Sequence, residues 1–281
     1  MRGGAGRYAA FTFVDRITGL VPGRSARGTF HIPSTIPGFP SSLLAEATGQ
    51  LAAWVAVDKL GFRLRPVAGI AHETEYRAAP QPGDTLETEV RIDSCEDDAV
   101  AYQGWARIGG RMVMELRDCV GPMLPLDEFD DPAAMQDFFT MLCTTGARVD
   151  RFPGLDALRL EPREAPTARR RAARLHVPRE AAFFADHFPR RPVFPGTLLL
   201  DRMTTLAAEL VTECVGGGQP FARRVTDVKL RAFTEPGSVL ELHAALDDNG
   251  EDDAPVALLE ARAEGQRRPV GSARVTFEVK P

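Results

Sequence analysis

The feature that most constrains how this chain folds is an internal repeat. Pro40-Ser-Ser-Leu-Leu-Ala-Glu46-Ala-Thr-Gly-Gln50-Leu-Ala-Ala53 aligns with Pro195-Gly-Thr-Leu-Leu-Leu-Asp201-Arg-Met-Thr-Thr205-Leu-Ala-Ala208 at an offset of 155, and six of the fourteen positions are identical. The acidic position is kept in kind, as Glu46 and Asp201. Downstream, Pro82-Gly83-Asp-Thr-Leu86-Glu87 aligns with Pro236-Gly237-Ser-Val-Leu240-Glu241 at an offset of 154, and upstream His31-Ile-Pro33 aligns with His187-Phe-Pro189 at 156. Three matches in one order describe two copies of one unit, and half of 281 residues is an ordinary domain length.

Periodicity gives the scheme of each copy. Residues 43–57 have only Glu46, Thr48 and Gln50 as clearly polar members, too few for a helix with a solvated face, so the helix there must be wrapped by other structure. Ser41 or Ser42 can cap its start and Gly61 can end it. Leu86, Thr88, Val90 and Ile92 alternate with charged residues, the period of a half-buried strand. Two more strands, about 100–108 and 111–120, meet at Gly109-Gly110, a hairpin turn. The second half repeats this and ends in strands about 256–263 and 270–279. A short opening strand, a buried helix and an antiparallel meander suit a curled sheet around a central helix. Residues 127–150 read as a connector between copies at 1–126 and 151–281, with Asp130 or Asp131 capping a helix and Pro132 in its first turn.

Composition narrows the function classes. Net charge is -5, which gives no broad electrostatic footprint for nucleic acid. Cys95, Cys119, Cys143 and Cys214 form no C-x-x-C pair and are too sparse for a disulfide framework or a four-ligand zinc site, so buried reduced thiols and no metal are expected. Residues 1–16 lack an apolar run of signal-peptide length and 51–57 falls far short of a membrane span, so a cytoplasmic protein is expected.

One loop is chemically distinctive. Phe183-Phe184-Ala-Asp-His187-Phe188-Pro189-Arg190-Arg191-Pro192-Val-Phe-Pro195-Gly196 sets a histidine in a proline-stiffened segment just before the second buried helix. This stretch resembles the β-hydroxyacyl-acyl carrier protein dehydratase family, whose motif runs F-F-x-x-H-F-P-x-x-P-x-x-P-G and reaches an acid fourteen residues after the histidine, here Asp201. Phe13-Val14-Asp15-Arg16-Ile17 resembles the family's first strand, and Glu46-Ala-Thr-Gly-Gln50 its helix motif E-A-x-x-Q. The resemblance implies an α+β double hotdog: two antiparallel curved sheets, each wrapped around a central helix, forming a pseudo-dimer.

It also implies elimination of water from a β-hydroxyacyl thioester, at a site shared by histidine from one hotdog and carboxylate from the other. A base takes the proton next to the thioester carbonyl while an acid protonates the departing hydroxyl. His187 suits the first task and Glu46, enclosed by apolar helix residues, the second. Gly196 at the helix start would offer a backbone N–H to the charge growing on the thioester oxygen. Gln50, one turn after Glu46, would orient the carboxylate. Phe188, Pro195, Arg190 and Arg191 are candidate contacts for substrate or carrier; for the two arginines, ordinary solvated surface is the alternative. No metal or redox cofactor is implied, since the acyl chain rides on the phosphopantetheine of an acyl carrier protein.

The two copies differ. Pairing His31 with His176, which also begins a His-x-Pro, would require a ten-residue gap before the helix, whereas pairing it with His187 requires a gap of one. On the simpler alignment His31 faces Asp201 as a second, eroded site: its loop lacks the paired phenylalanines, Ser41 stands in the place of Gly196, and Thr205 in that of Gln50. His72, His176 and His243 read as strand residues, and the acidic run 247–253 as a hairpin loop without calcium-loop spacing. Two other functions stay open: a non-catalytic hotdog that binds acyl chains or partners an active subunit, and a hotdog thioesterase. The hydratase signature Y-x-x-x-S-G-D-x-N-x-x-H is absent from the sequence. A homodimer or a complex with other synthase components is compatible with exposed sheet edges.

Overall fold

A computed structural model describes residues 8–163, 169–215, 218–247 and 254–280. Most of the acidic run 247–253 lies outside the described residues. The first half runs β1 (Arg16–Val21), β2 (Ser25–His31), α1 (Ser42–Lys59), β3 (Leu64–Pro66), β4 (Ile70–Tyr76), β5 (Thr85–Cys95), β6 (Ala99–Ile108) and β7 (Arg111–Pro125). A connector carries α2 (Pro132–Cys143). The second half follows with β8 (Leu160–Pro162), β9 (Arg170–His176), α3 (Gly196–Val215), β10 (Gln219–Leu230), β11 (Val239–Leu246), β12 (Val256–Ala263) and β13 (Pro269–Lys280).

All strand pairs are antiparallel, and the order is β1-β2-β5-β6-β7-β4-β10-β13-β12-β11-β9-β8, with β3 on β7. Read outward from the β4–β10 seam, the two sides mirror one another. This is a double hotdog, with one difference from the expected two sheets: β4 and β10, absent from the expected scheme, join them into one continuous sheet, 13-stranded among the described residues. Bulges bend it around the helices, as where Asp118 and Asp227 take left-handed φ of 49° and 54° beside register shifts in β6–β7 and β10–β13. Gly109 and Gly110 both have positive φ, 55° and 74°, as a tight hairpin of the expected kind requires.

The two helices are enclosed. On α1, Leu43, Leu44, Ala47, Thr48, Leu51, Ala52 and Trp54 through Val57 are all buried, and its largely apolar composition follows from having no solvated face. No serine side chain caps its start; backbone bonds from Leu43 and Leu44 to Pro40 and Ser41 do so instead. Its end is closed as expected by Gly61 at φ 61°, with the N–H of Phe62 donating to Val57 and that of Gly61 to Asp58. On α2, the Asp131 carboxylate accepts from Ala134 N–H at 3.1 Å and Pro132 opens the first turn. One hydrophobic cluster contains side chains of both halves, among them Leu43, Leu86 and Met114 with Leu198, Leu206 and Val275.

No described helix is long and apolar enough to cross a membrane. Cys95 and Cys119 are buried as expected, whereas Cys143 and Cys214, in the last turns of α2 and α3, are half-buried and exposed.

Candidate active site

The fold decides which histidine is the counterpart of His31. β2 ends at His31, opposite Thr85, and β9 ends at His176, opposite Val239. The next bond repeats too: Ile32 N–H donates to Asp84 and Val177 N–H to Ser238, each at 2.9 Å. His31 therefore corresponds to His176, not to His187, and the second half does contain the longer loop: nineteen positions separate His176 from Pro195 against nine between His31 and Pro40. Sequence alignment favours the smaller gap, but strand register fixes the larger one. The insertion holds a helical turn at Ala182–Ala185 and His187, and the first half has no equivalent.

The expected second site is not assembled. The His31 ring lies 3.1 Å from the Thr85 hydroxyl and 3.5 Å from Asp150, while Asp201 pairs with its neighbour Arg202. Thr205 donates to the Asp201 carbonyl at 2.9 Å rather than reaching its carboxylate. His176 makes an exposed pair with Glu161 at 2.9 Å, and His72, His176 and His243 lie in strands as expected.

His187 and Glu46 do share a cavity, of about 240 Å³, whose lining also includes Gln50, Gly196, Thr197, Arg65 and Phe188. Exposed Ile70, Val120 and Phe233 line it as well, so it opens between them. His187 Nδ1 is 2.9 Å from the Val193 carbonyl. A carbonyl can only accept, so Nδ1 carries the proton and Nε2 keeps its lone pair. Burial pushes the imidazole pKa down to about 4, the Val193 bond opposing and the Arg65 guanidinium adding to the fall.

Glu46 is shifted the other way. Burial raises its pKa, opposed by hydrogen bonds from Thr197 and Gln50 and by the charge of Arg65. Gln50 Nε2 donates to Oε1 at 2.9 Å, the expected orienting contact, and the Thr197 hydroxyl of the other half donates to Oε2 at 2.6 Å. Gly196 begins α3, and a Cβ there would come within 2.3 Å of Leu230 Cδ1, so packing as well as access to its N–H favours glycine.

Phe188 holds a left-handed φ of 67°, unusual for a non-glycine residue. Its ring lies 4.2 Å from that of His187, with the Arg65 guanidinium 4.2 Å above it and Phe129 at 5.1 Å. Arg65, from β3, has a pKa lowered to about 10 by burial, and its Nε makes no hydrogen bond. Pro195 lies outside the cavity lining and serves the start of α3, its carbonyl accepting from Leu198 and Leu199. Arg190 is tied to Asp127 and Asp131, and Arg191 to Glu128 and the Phe129 and Phe233 rings, so both fasten the loop to the connector. Thr197, Arg65 and Asp186 were not visible as site residues in sequence: Asp186 falls at a variable position of the motif, Thr197 just after its end, and Arg65 is one arginine among many.

Residues 163–263 match the family model described as ApeI-like, ApeI dehydratase. Over 67 residues the chain is 39% identical to a 3-hydroxyacyl-[acyl-carrier-protein] dehydratase FabZ of Rickettsia bellii and 37% to one of Rickettsia rickettsii. Over these stretches the chain is similar to hotdog dehydratases. The matched stretch is 23% of this chain and 46% of the FabZ chains, so the chain spans under half the length of the curated relatives it matches. Similarity of fold extends further. A 12:0-ACP thioesterase from Umbellularia californica superposes with a TM-score of 0.53 at 12% identity, covering 91% of this chain and 94% of its own. An acyl-ACP thioesterase from Bacteroides thetaiotaomicron gives 0.54 at 13%, covering 90% and 98%.

Proposed function

We propose that this hotdog dehydratase relative eliminates water from carrier-bound β-hydroxyacyl thioesters to give trans-2-enoyl thioesters. The observation that carries the reading is the pairing, on one cavity, of a buried imidazole whose pKa burial lowers with a buried carboxyl whose pKa burial raises, one from each half.

His187 Nε2 takes the proton from the carbon beside the thioester carbonyl. The electrons of that C–H bond become the new double bond as the β-carbon–oxygen bond breaks, and Glu46 gives its proton to the hydroxyl, which leaves as water. Negative charge passing through the thioester oxygen meets the Gly196 N–H and the positive end of α3. Thr197 and Gln50 remain partners for Glu46 in either protonation state, since a hydroxyl both donates and accepts. The imidazolium and carboxylate then reset by proton exchange. The thioester arm would enter between Ile70, Val120 and Phe233, beside Arg191, with the acyl carrier protein docked outside. No metal or redox cofactor takes part in these steps.

The test incubates wild type, His187→Ala and Glu46→Gln with a β-hydroxyacyl thioester and follows enoyl product and free thiol together. The reading expects enoyl product from wild type, and at least 100-fold less from each variant. Release of free thiol without enoyl product would mean that the cavity runs a hydrolysis like that in the names of its fold neighbours.

A further inference from the structure

Residues 8–13 are buried, yet they form neither helix nor strand. Buried backbone N–H groups need acceptors, and here side chains supply them. The Asp186 carboxylate accepts from Tyr8 at 2.6 Å through Oδ1, and from Ala10 at 2.6 Å and Phe11 at 3.0 Å through Oδ2. Gln50 Oε1 accepts from Phe13 N–H at 2.8 Å, and its Nε2 donates to the Phe11 carbonyl at 3.0 Å. The segment is thus tied at one end to the residue that precedes His187 and at the other to the partner of Glu46. Tyr8, Phe11 and Thr12 line the cavity, and the Phe11 ring stands edge-on to the imidazole, centroids 5.5 Å apart.

We propose that Asp186 is a positioning residue: by holding the N–H groups of residues 8, 10 and 11, it locks this strap as a wall against His187 and joins the catalytic loop of the second half to the first. The proposal rests on His187 being the base. Charge-assisted bonds from one carboxylate to three amides are among the stronger contacts a loop can make. The wall also excludes water from a ring whose neutral form the reaction requires.

The charged and titratable groups around the ring are Glu46 on α1, Arg65 on β3, Asp130 before α2, Asp186 in the loop and Tyr8 in the strap; Tyr76, Tyr102 and Cys119 lie on the strands beyond. These give two opposite expectations for Asp186→Asn. Losing a nearby negative charge, by itself, lowers the imidazole pKa further, whereas losing the wall admits water and raises it.

The test titrates His187 by NMR in the full chain, wild type against Asp186→Asn, and measures hydrogen exchange of amides 8–13. The expected result is a His187 pKa that moves up from about 4 toward the ordinary 6.5, exchange at residues 8–13 at least ten times faster, and kcat at least tenfold lower with KM changed less. Unchanged exchange, or a pKa that stays or falls, overturns the proposal. Should Asp186→Asn not fold, Phe11→Leu decides: the strap stays protected while His187 still shifts upward, and the absence of that shift overturns the proposal. Lack of dehydration by wild type would instead refute the proposed function, leaving the exchange and titration results to be judged on their own.

Discussion

At the scale of single residues, burial shifts the two central groups of the candidate site in opposite directions. The imidazole is held neutral down to about pH 4 and the carboxyl is held protonated above its ordinary range. For kcat/KM this gives a bell: the acid limb is His187 losing its proton as pH rises, and the alkaline limb is Glu46 ionising. A pH profile of Glu46→Gln is expected to keep the acid limb and lose the alkaline one. Arg65 makes a second case. Its guanidinium faces the charge of buried Asp130 and covers the strained Phe188, so Arg65→Met is expected to lower the thermal midpoint by several degrees, by leaving that carboxylate without its opposite charge, and to reduce kcat about tenfold by loosening the stack on Phe188. An unchanged midpoint would show that Arg65 contributes nothing to the fold. That Glu46, His187 and Gly196 would meet on one cavity was legible in sequence because fixed spacing carries them; the presence of Arg65 and Thr197 there was not, since it depends on which segments the two halves bring together.

At the scale of elements, the loop that carries His187 is an insertion in one copy of a duplicated unit. It leaves the strand β9 at His176 and rejoins the common scheme at Pro195, and the strain at Phe188 is held by Arg65 and the rings of Phe129 and Phe233. The buried helix, the hairpin and the capped connector were legible because apolar spacing, Gly-Gly and Asp-Pro each report local geometry. The correspondence of His31 was not, because strand-end register is a property of paired strands and leaves no mark in one of them. The wrap of β6 over α1 depends on Gly104, where a Cβ would stand 2.3 Å from Thr48 Cγ2 and 3.0 Å from the Glu89 carbonyl. Gly104→Ala is expected to lower stability by about 1–3 kcal/mol in denaturant unfolding through overpacking; a loss under 0.5 kcal/mol, about the ordinary surface value, would mean that α1 is less tightly enclosed.

At the scale of the whole molecule, the β4–β10 seam makes one body of two copies. Arg223 and Arg224 of β10 reach Glu75 and Glu73 of β4 across it, and the common core runs beneath. Calorimetry is expected to show one cooperative transition for the chain; two separable transitions would contradict a shared core. Duplication followed by divergence also accounts for the asymmetry of the two halves among the described residues, since the first copy lacks the loop and Asp201 pairs with Arg202. The account stands on one site built by both halves, and the most direct measurement is the initial rate of enoyl formation by four variants in parallel. His187→Ala and Glu46→Gln are predicted to lose at least 100-fold, with His31→Ala and Asp201→Asn within about threefold of wild type. Equal losses in all four, or retained activity in Glu46→Gln, would contradict it.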